Sequence, residues 1–285
     1  MLPPPTPVRI ACMNNSTFGE HLRVWRKLRH LSQQGLAESA DLSARHLSFL
    51  ETGRSSPSRE MVLRLSDRLN IPPRERNNIL EAAGFAPMYK TSALDAPEMR
   101  AARHSLNIVL KSHMPNPCLV MNGRYEIVAM NQAVGVLLSG AHPALLAEPV
   151  NVVKFSLHPD GLGSSIINYP QWRTHILERL ARQLESGGDS HLRSLIAEVR
   201  DYPFPALRDN RSGKEYDAPG VLLPLRLRSA SGILSFISTV TIFGTPHDIT
   251  LQELAIETFF PADDFTAAVL ARRSADASTS CPIPA

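Results

Sequence analysis

The chain has little cysteine. Its three cysteines, Cys12, Cys118 and Cys281, are scattered over 285 residues, which excludes a disulfide framework and fits a reducing, cytoplasmic setting. Long apolar runs are missing too. None approaches the roughly 20 residues needed to cross a bilayer, so no membrane partner is expected. The opening MLPPPTPVRIACMNNS holds no apolar stretch of signal-peptide length. It reads as a disordered tail over 1–15, matched by a small, polar one over 274–285. The sequence also lacks G-x-S-x-G, a Gly-rich phosphate loop and H-E-x-x-H, so an enzyme is not expected. His104, His113 and Cys118 are too few and too widely spaced to hold zinc, and no metal is expected. No Cys-x-x-Cys-His attaches a haem.

Charge of one sign is scarce overall: 30 Lys and Arg against 27 Asp and Glu give +3. The excess is local. Between residues 16 and 90, twelve basic side chains oppose eight acidic ones, a net +4, and the remainder is about neutral. That basic block holds the strongest pattern in the chain. From Phe18 to Pro87 it reads as five short amphipathic helices. Leu22, Trp25, Leu28 and Leu31 form the first apolar stripe, with Arg23, Arg26, Lys27 and Arg29 among them. Ser32 caps a second helix that turns Leu36, Ala37 and Ala40 inward. Asp41 and Leu42 make the turn, and Ser43 caps a third helix with Leu47 and Leu50 inward, ending at Gly53. A helix held across another, with short polar side chains at its exposed start, suits the DNA major groove. Localised basicity favours phosphate.

The segment RKLRHLSQQGLAESADLSARHLSFLETGRSSPS closely resembles the Xre/phage-repressor type of helix-turn-helix domain, over about a quarter of the chain. The resemblance implies that Ala44, Arg45, Ser48 and Phe49 occupy base-facing slots. Gln33, Ser43 and Arg54 would contact the DNA backbone. It further implies a buried Arg26–Glu51 ion pair between the first and third helices. Arg45 is the best single specificity residue, because arginine reads guanine O6 and N7 bidentately. Phe49 departs from the polar side chain common in its slot; a thymine methyl or the core would accept it. Double-stranded operator DNA is thus the expected macromolecular partner, bound by a homodimer.

Beyond Pro87 the pattern changes. Asp95 to Lys111 carries a helical stripe that links two domains. PCLVMN and YEIVAMN read as two strands across a turn, then a helix over Gln132 to Ser139. Pro170–Glu185 and Ser190–Arg200 read as helices. GVLLPLRLRS, ILSFISTVTIF and ITLQELAIETFF read as three late strands with alternation of period two. Two strands, helices, then three antiparallel strands form an α+β, PAS-like order: a five-stranded antiparallel sheet with helices on one face. The expected organisation is a tail (1–15), an all-α helix-turn-helix domain (16–90), a linker helix (91–113), the sheet domain (114–273) and a tail (274–285).

NPCLVMNGRYEIVAMNQA, KFSLHPDGL with IINYPQW, and LPLRLRSASGILSFISTVTIFGTPHDITLQELAIETFFPADDFT closely resemble the ligand-binding domain that follows an Xre helix-turn-helix in MmyB-like transcription regulators. Tyr169 stands where that motif would carry tryptophan. The resemblance implies a regulator whose second domain senses a small apolar molecule, without saying which; a fatty-acid-like ligand and no cofactor are expected. On the residues themselves, a half-barrel sheet under helices would line a pocket with Leu119, Met121, Val128, Leu225, Phe236, Val240, Ile242, Leu254 and Ile256, joined by Trp172 and Ile176. These same side chains could equally fill a core. His158, Asn168, Tyr169 and His175 are the polar candidates for a head group, although each could equally be a structural hydrogen-bonding residue and His158-Pro159-Asp160-Gly161 also reads as a turn. Alternatives for the second domain are a haem or flavin site, or a module for dimerisation or partner proteins.

Overall fold

The computed structural model describes residues 17–187, 190–205, 223–242 and 248–279. The tail expected over 1–15, Cys12, Cys281, the start of GVLLPLRLRS and the GTPH of the last motif lie outside these residues. The chain divides into two units: Met1–Thr91 with Ala181–Arg193 and His247–Ile249, and Ser92–Leu180 with Ser194–Pro246 and Thr250–Ala285.

In the first unit, five helices follow from local capping: α1 (Phe18–Leu28), α2 (Gln33–Ser39), α3 (Ala44–Glu51), α4 (Arg59–Arg68) and α5 (Pro73–Ala82). Thr17 and Glu20 form a capping box at α1. Ser32, Ser43 and Ser58 each accept a backbone N–H at the start of α2, α3 and α4. Such caps satisfy donors the helix cannot use itself. Asp41, between α2 and α3, takes φ of 54°, and Gly53 after α3 takes 70°. Phe18, Leu22, Trp25, Leu36, Leu47, Leu50, Leu65 and Leu80 form one core. The start of α1 lies directly on the end of α3: a Cβ at Gly19 would sit 2.6 Å from both the Leu50 and Glu51 carbonyl oxygens.

One ionic cluster crosses this core. Arg26 on α1 grips Glu51 at the end of α3, Nε to Oε1 at 2.5 Å and Nη2 to Oε2 at 3.0 Å. Gln33, opening α2, donates to Oε2 at 2.8 Å, and Arg23 donates to the Glu51 carbonyl at 3.4 Å. Burial alone would push the Glu51 carboxyl up, but bonds from Arg26 and Gln33 and the Arg26 and Arg23 charges hold it below the ordinary glutamate value. His21, also on α1, is buried with an unpartnered Nδ1 among the described residues. Burial lowers its pKa against the raising effect of Glu20.

The second unit begins with α6 (Arg100–Ser112), later than the Asp95 start expected, because a 3₁₀ turn at Pro97–Met99 precedes it. Strands β1 (Cys118–Met121) and β2 (Ile127–Met130) are followed by α7 (Gly135–Leu138), α8 (Val152–Leu157), α9 (Tyr169–Gly187) and α10 (Ser190–Arg200), the last two counted in this unit only up to Leu180 and from Ser194. Then come β3 (Leu225–Ser229), β4 (Gly232–Ile242), α11 (Ile249–Gln252), β5 (Ala255–Pro261) and α12 (Asp264–Thr279). All strand pairs are antiparallel, in the order β2-β1-β5-β4-β3.

Three expectations are corrected. ITLQELAIETFF is not strand throughout: its start is α11, and Leu251 and Leu254, three apart, pack in the cluster around α6. The tail expected from residue 274 is helical to Thr279, since alanines at 267, 268, 271, 275 and 277 favour helix. Asp263 Oδ1 accepts the Thr266 N–H at 2.7 Å and starts that helix. Finally, helices cover both faces of the sheet. Leu106 and Leu110 of α6 pack with Cys118, Val120 and Ile256. α9 covers the other face, and Thr266 of α12 accepts the Ser235 backbone N–H at 2.9 Å.

Two outcomes test the helical unit. Gly19→Ala forces α1 off α3, an overpacking cost of about 1–3 kcal/mol, read as a lowered denaturation midpoint of the first unfolding transition. Glu51→Gln strands the buried Arg26 charge and costs about 3–5 kcal/mol at neutral pH. A depressed carboxyl pKa adds stability above the unfolded-state value, lost as pH falls through the folded one. The gap between parent and Glu51→Gln should therefore narrow in urea titrations below about pH 4.3. The protonation of His21 weakens both proteins alike.

Candidate DNA-reading helix and ligand cavity

α3 places its residues on two faces. Leu47 and Leu50 are fully buried, while Ala44 and Arg45 are exposed and Ser48 and Phe49 are half-buried. The Arg45 guanidinium lies over the Phe49 ring, 5.4 Å from its centroid. Phe49 is thus a platform for Arg45, a contact that stiffens a long cation and is worth about 0.5–1 kcal/mol at an exposed site. Ser43 Oγ accepts the His46 N–H at 3.1 Å, which leaves its exposed hydroxyl at the helix start. Arg54 is exposed just beyond the helix, its backbone N–H bound to the Phe49 carbonyl at 2.9 Å. Gln33, expected on a phosphate, already gives one N–H to Glu51.

In the second unit, α7, α8 and α9 close over the sheet to leave a cavity of about 50 Å³. Leu119, Leu225, Trp172 and Ile176 of the candidate set line it, with Phe155, Leu162 and Phe259. Trp172, Ile176 and Arg179 share one face of α9 at helical spacing. Trp172 Nε1 donates to Ser156 Oγ at 3.0 Å. The free space holds a few waters and falls below the roughly 300–1,000 Å³ usual for ligand sites. A larger occupant must push the helices outward.

Several candidates lie elsewhere. Val128 is the extra residue of a bulge: pairing passes from Val120–Ala129 to Met121–Ile127 and skips it, so Ile127 lines the cavity while Val128 is exposed. Val240 and Ile242 are 47% and 69% exposed, because β3 pairs with β4 only as far as Phe236. Leu254 and Ile256 pack towards α6, since Ile256 stands opposite Val120, while Glu257 stands opposite Leu119 on the cavity side. Met121 is buried outside the lining, and Phe236 meets Phe259 edge-on at 6.4 Å. Of the polar candidates, Asn168, Tyr169 and His158 are spent on structure. Asn168 bridges the Pro224 carbonyl and the Arg226 N–H, Tyr169 donates to the Leu157 carbonyl at 2.8 Å, and His158 Nδ1 accepts the Asp160 N–H in its turn.

Sequence reasoning missed Val152, Val153 and Phe155 on α8, whose apolar run was the available signal. It also missed Arg179 and Glu257, charged residues that line the cavity in phase with its apolar stripes.

The helix-turn-helix family model matches residues 22–76, and the family model described as MmyB-like transcription regulator ligand binding domain matches residues 102–272. Among solved structures, the restriction-modification controller protein C.AhdI from Aeromonas hydrophila is 36% identical, with 21% of this chain and 89% of that one covered and a TM-score of 0.20. The clp gene regulator ClgR from C. glutamicum is 28% identical, covering 24% and 83%, with a TM-score of 0.21. An RNA-binding Light-Oxygen-Voltage receptor is 15% identical over 96% of this chain and 66% of its own, with a TM-score of 0.26. A comparison with curated proteins finds no match. With the second family model covering more than half of its length, the chain belongs to the MmyB-like transcription regulators, with a helix-turn-helix DNA-binding region ahead of the ligand-binding domain.

Proposed function

We propose that this protein is a cytoplasmic, homodimeric regulator that reads an inverted-repeat operator through α3 and adjusts its hold on that DNA when a small, mostly apolar molecule enters the cavity. The division proposed is a DNA-binding domain over 16–90, a linker over 91–113 and a sensor over 114–273. The observation that carries the DNA reading is the exposed start of α3. There Arg45 is held over Phe49, with Ala44 and Ser48 short enough to let the helix approach base edges. Ser43 and Arg54 flank it as backbone contacts. The ligand reading rests on the cavity walls, which are almost entirely aliphatic and aromatic.

In gel shifts at fixed salt, Arg45→Ala should weaken the specific site by about 1–3 kcal/mol and relax base preference at one position per half-site. Arg54→Ala should weaken all sequences alike and reduce the salt slope by about one. Phe49→Ala should reproduce part of the Arg45→Ala loss, because the platform is gone. Unchanged operator affinity in Arg45→Ala would place another face of the domain against DNA.

A further inference from the structure

Resting on the ligand-sensing reading, we propose that the molecule taken by the cavity is uncharged: a hydrocarbon body with a neutral carbonyl oxygen, as in a ketone, ester or lactone, in place of a fatty-acid carboxylate. Charge inside the cavity is already balanced. Arg179 on α9 and Glu257 on β5 are the only charged residues among the described lining, and they face each other, Nη1 to Oε1 at 3.5 Å. Their side chains are 24% and 5% exposed. What the pair leaves open is a donor. Arg179 Nε is buried and without a hydrogen-bond partner among the described residues. Ser156 Oγ accepts from Trp172, and its own proton has no acceptor among the described residues. Unsatisfied donors in an apolar space select an acceptor oxygen.

Charge counting then decides which oxygen. A carboxylate at Arg179 would set two anions against one cation in a nearly dry site, and an uncompensated buried charge is far more costly than a neutral dipole. A carbonyl accepts the Nε–H and leaves the Arg179–Glu257 pair intact. The remaining walls, among them Leu119, Ile176, Leu225 and Phe259, ask only for hydrocarbon.

The test titrates the full chain, freed of bound lipid, with decanoate, methyl decanoate, 2-undecanone and undecane by calorimetry at pH 7.4. The ester and the ketone should bind at least tenfold tighter than decanoate, and the ketone tighter than undecane. Glu257→Gln removes the buried anion and should shift the ranking at least tenfold towards decanoate. The parent's own ranking needs no variant, so a misfolded Glu257→Gln protein leaves the test standing. Decanoate binding as tightly as the ester in the parent, or an unchanged ranking in folded Glu257→Gln, overturns the neutral head group while the cavity remains a ligand site. If none of the four compounds binds, the ligand-sensing reading itself falls, and this inference falls with it.

Discussion

The buried carboxylate of Glu51 is the constraint on which the DNA-reading unit depends. It is the last residue of α3, and it is held by Arg26 and Arg23 of α1 and Gln33 of α2. A single acid therefore fixes the angle between α3, the proposed reading helix, and the two helices that carry it. Apolar contacts alone would not do this, because Leu47 and Leu50 could pack at several crossing angles for similar energy. A bidentate guanidinium–carboxylate pair accepts only one. The absent side chain of Gly19 belongs to the same device, since it allows α1 close enough for Arg26 to reach.

The second unit holds a buried acid as well, and the contrast is informative. Glu51 is saturated: two bonds from Arg26, one from Gln33 and the nearby charge of Arg23. Glu257 meets Arg179 in one long contact at 3.5 Å, beside the buried Tyr125 hydroxyl that feels both charges, and Arg179 Nε goes unmet among the described residues. The cost of burying charge is offset by the bonds that surround it. A saturated pair has no capacity left for a ligand, whereas a loosely made one lining a cavity does. By that criterion the first pair is architecture, and the second is the one free to take part in the binding proposed for the cavity it lines.

The helical unit was legible because every level of its sequence agreed. Serines precede α2, α3 and α4, glycine follows α3, and apolar residues recur at helical spacing. The sheet was legible as strands but not as faces. Both sides of it are covered, so the alternation of Leu254 and Ile256 with Glu253 and Glu257 marks a strand without telling which side holds the cavity. Pairing with β1 decides that for β5, and in β2 a bulge at Val128, which nothing local announces, turns Ile127 inward in its place. By the usual rule for a half-buried strand, a charged residue such as Glu257 reads as outward. It faces inward because Arg179, 78 residues away in sequence, neutralises it. The structural bonds of the polar candidates were illegible for the complementary reason. Asn168 and Tyr169 satisfy backbone groups of β3 and α8, bonds made only after the chain has folded.

The small cavity also bounds how sensing can work. A space of about 50 Å³ cannot hold a ten-carbon molecule without expansion. Burying each methylene contributes about 0.8 kcal/mol, so such a chain brings roughly 8 kcal/mol of transfer free energy. Part of it is consumed in separating α8 and α9 from the sheet, and the remainder appears as affinity. On the proposed reading an occupied form would therefore differ in structure from the empty one, which is the condition for a ligand to shift an equilibrium at all. Moving a regulator from roughly 1:99 to 99:1 takes about 5.5 kcal/mol of differential binding. That lies within the hydrocarbon contribution and beyond what a single neutral hydrogen bond supplies. On the proposed reading, the hydrocarbon body would supply the energy of the switch, and the unmet donor of Arg179 the choice of molecule.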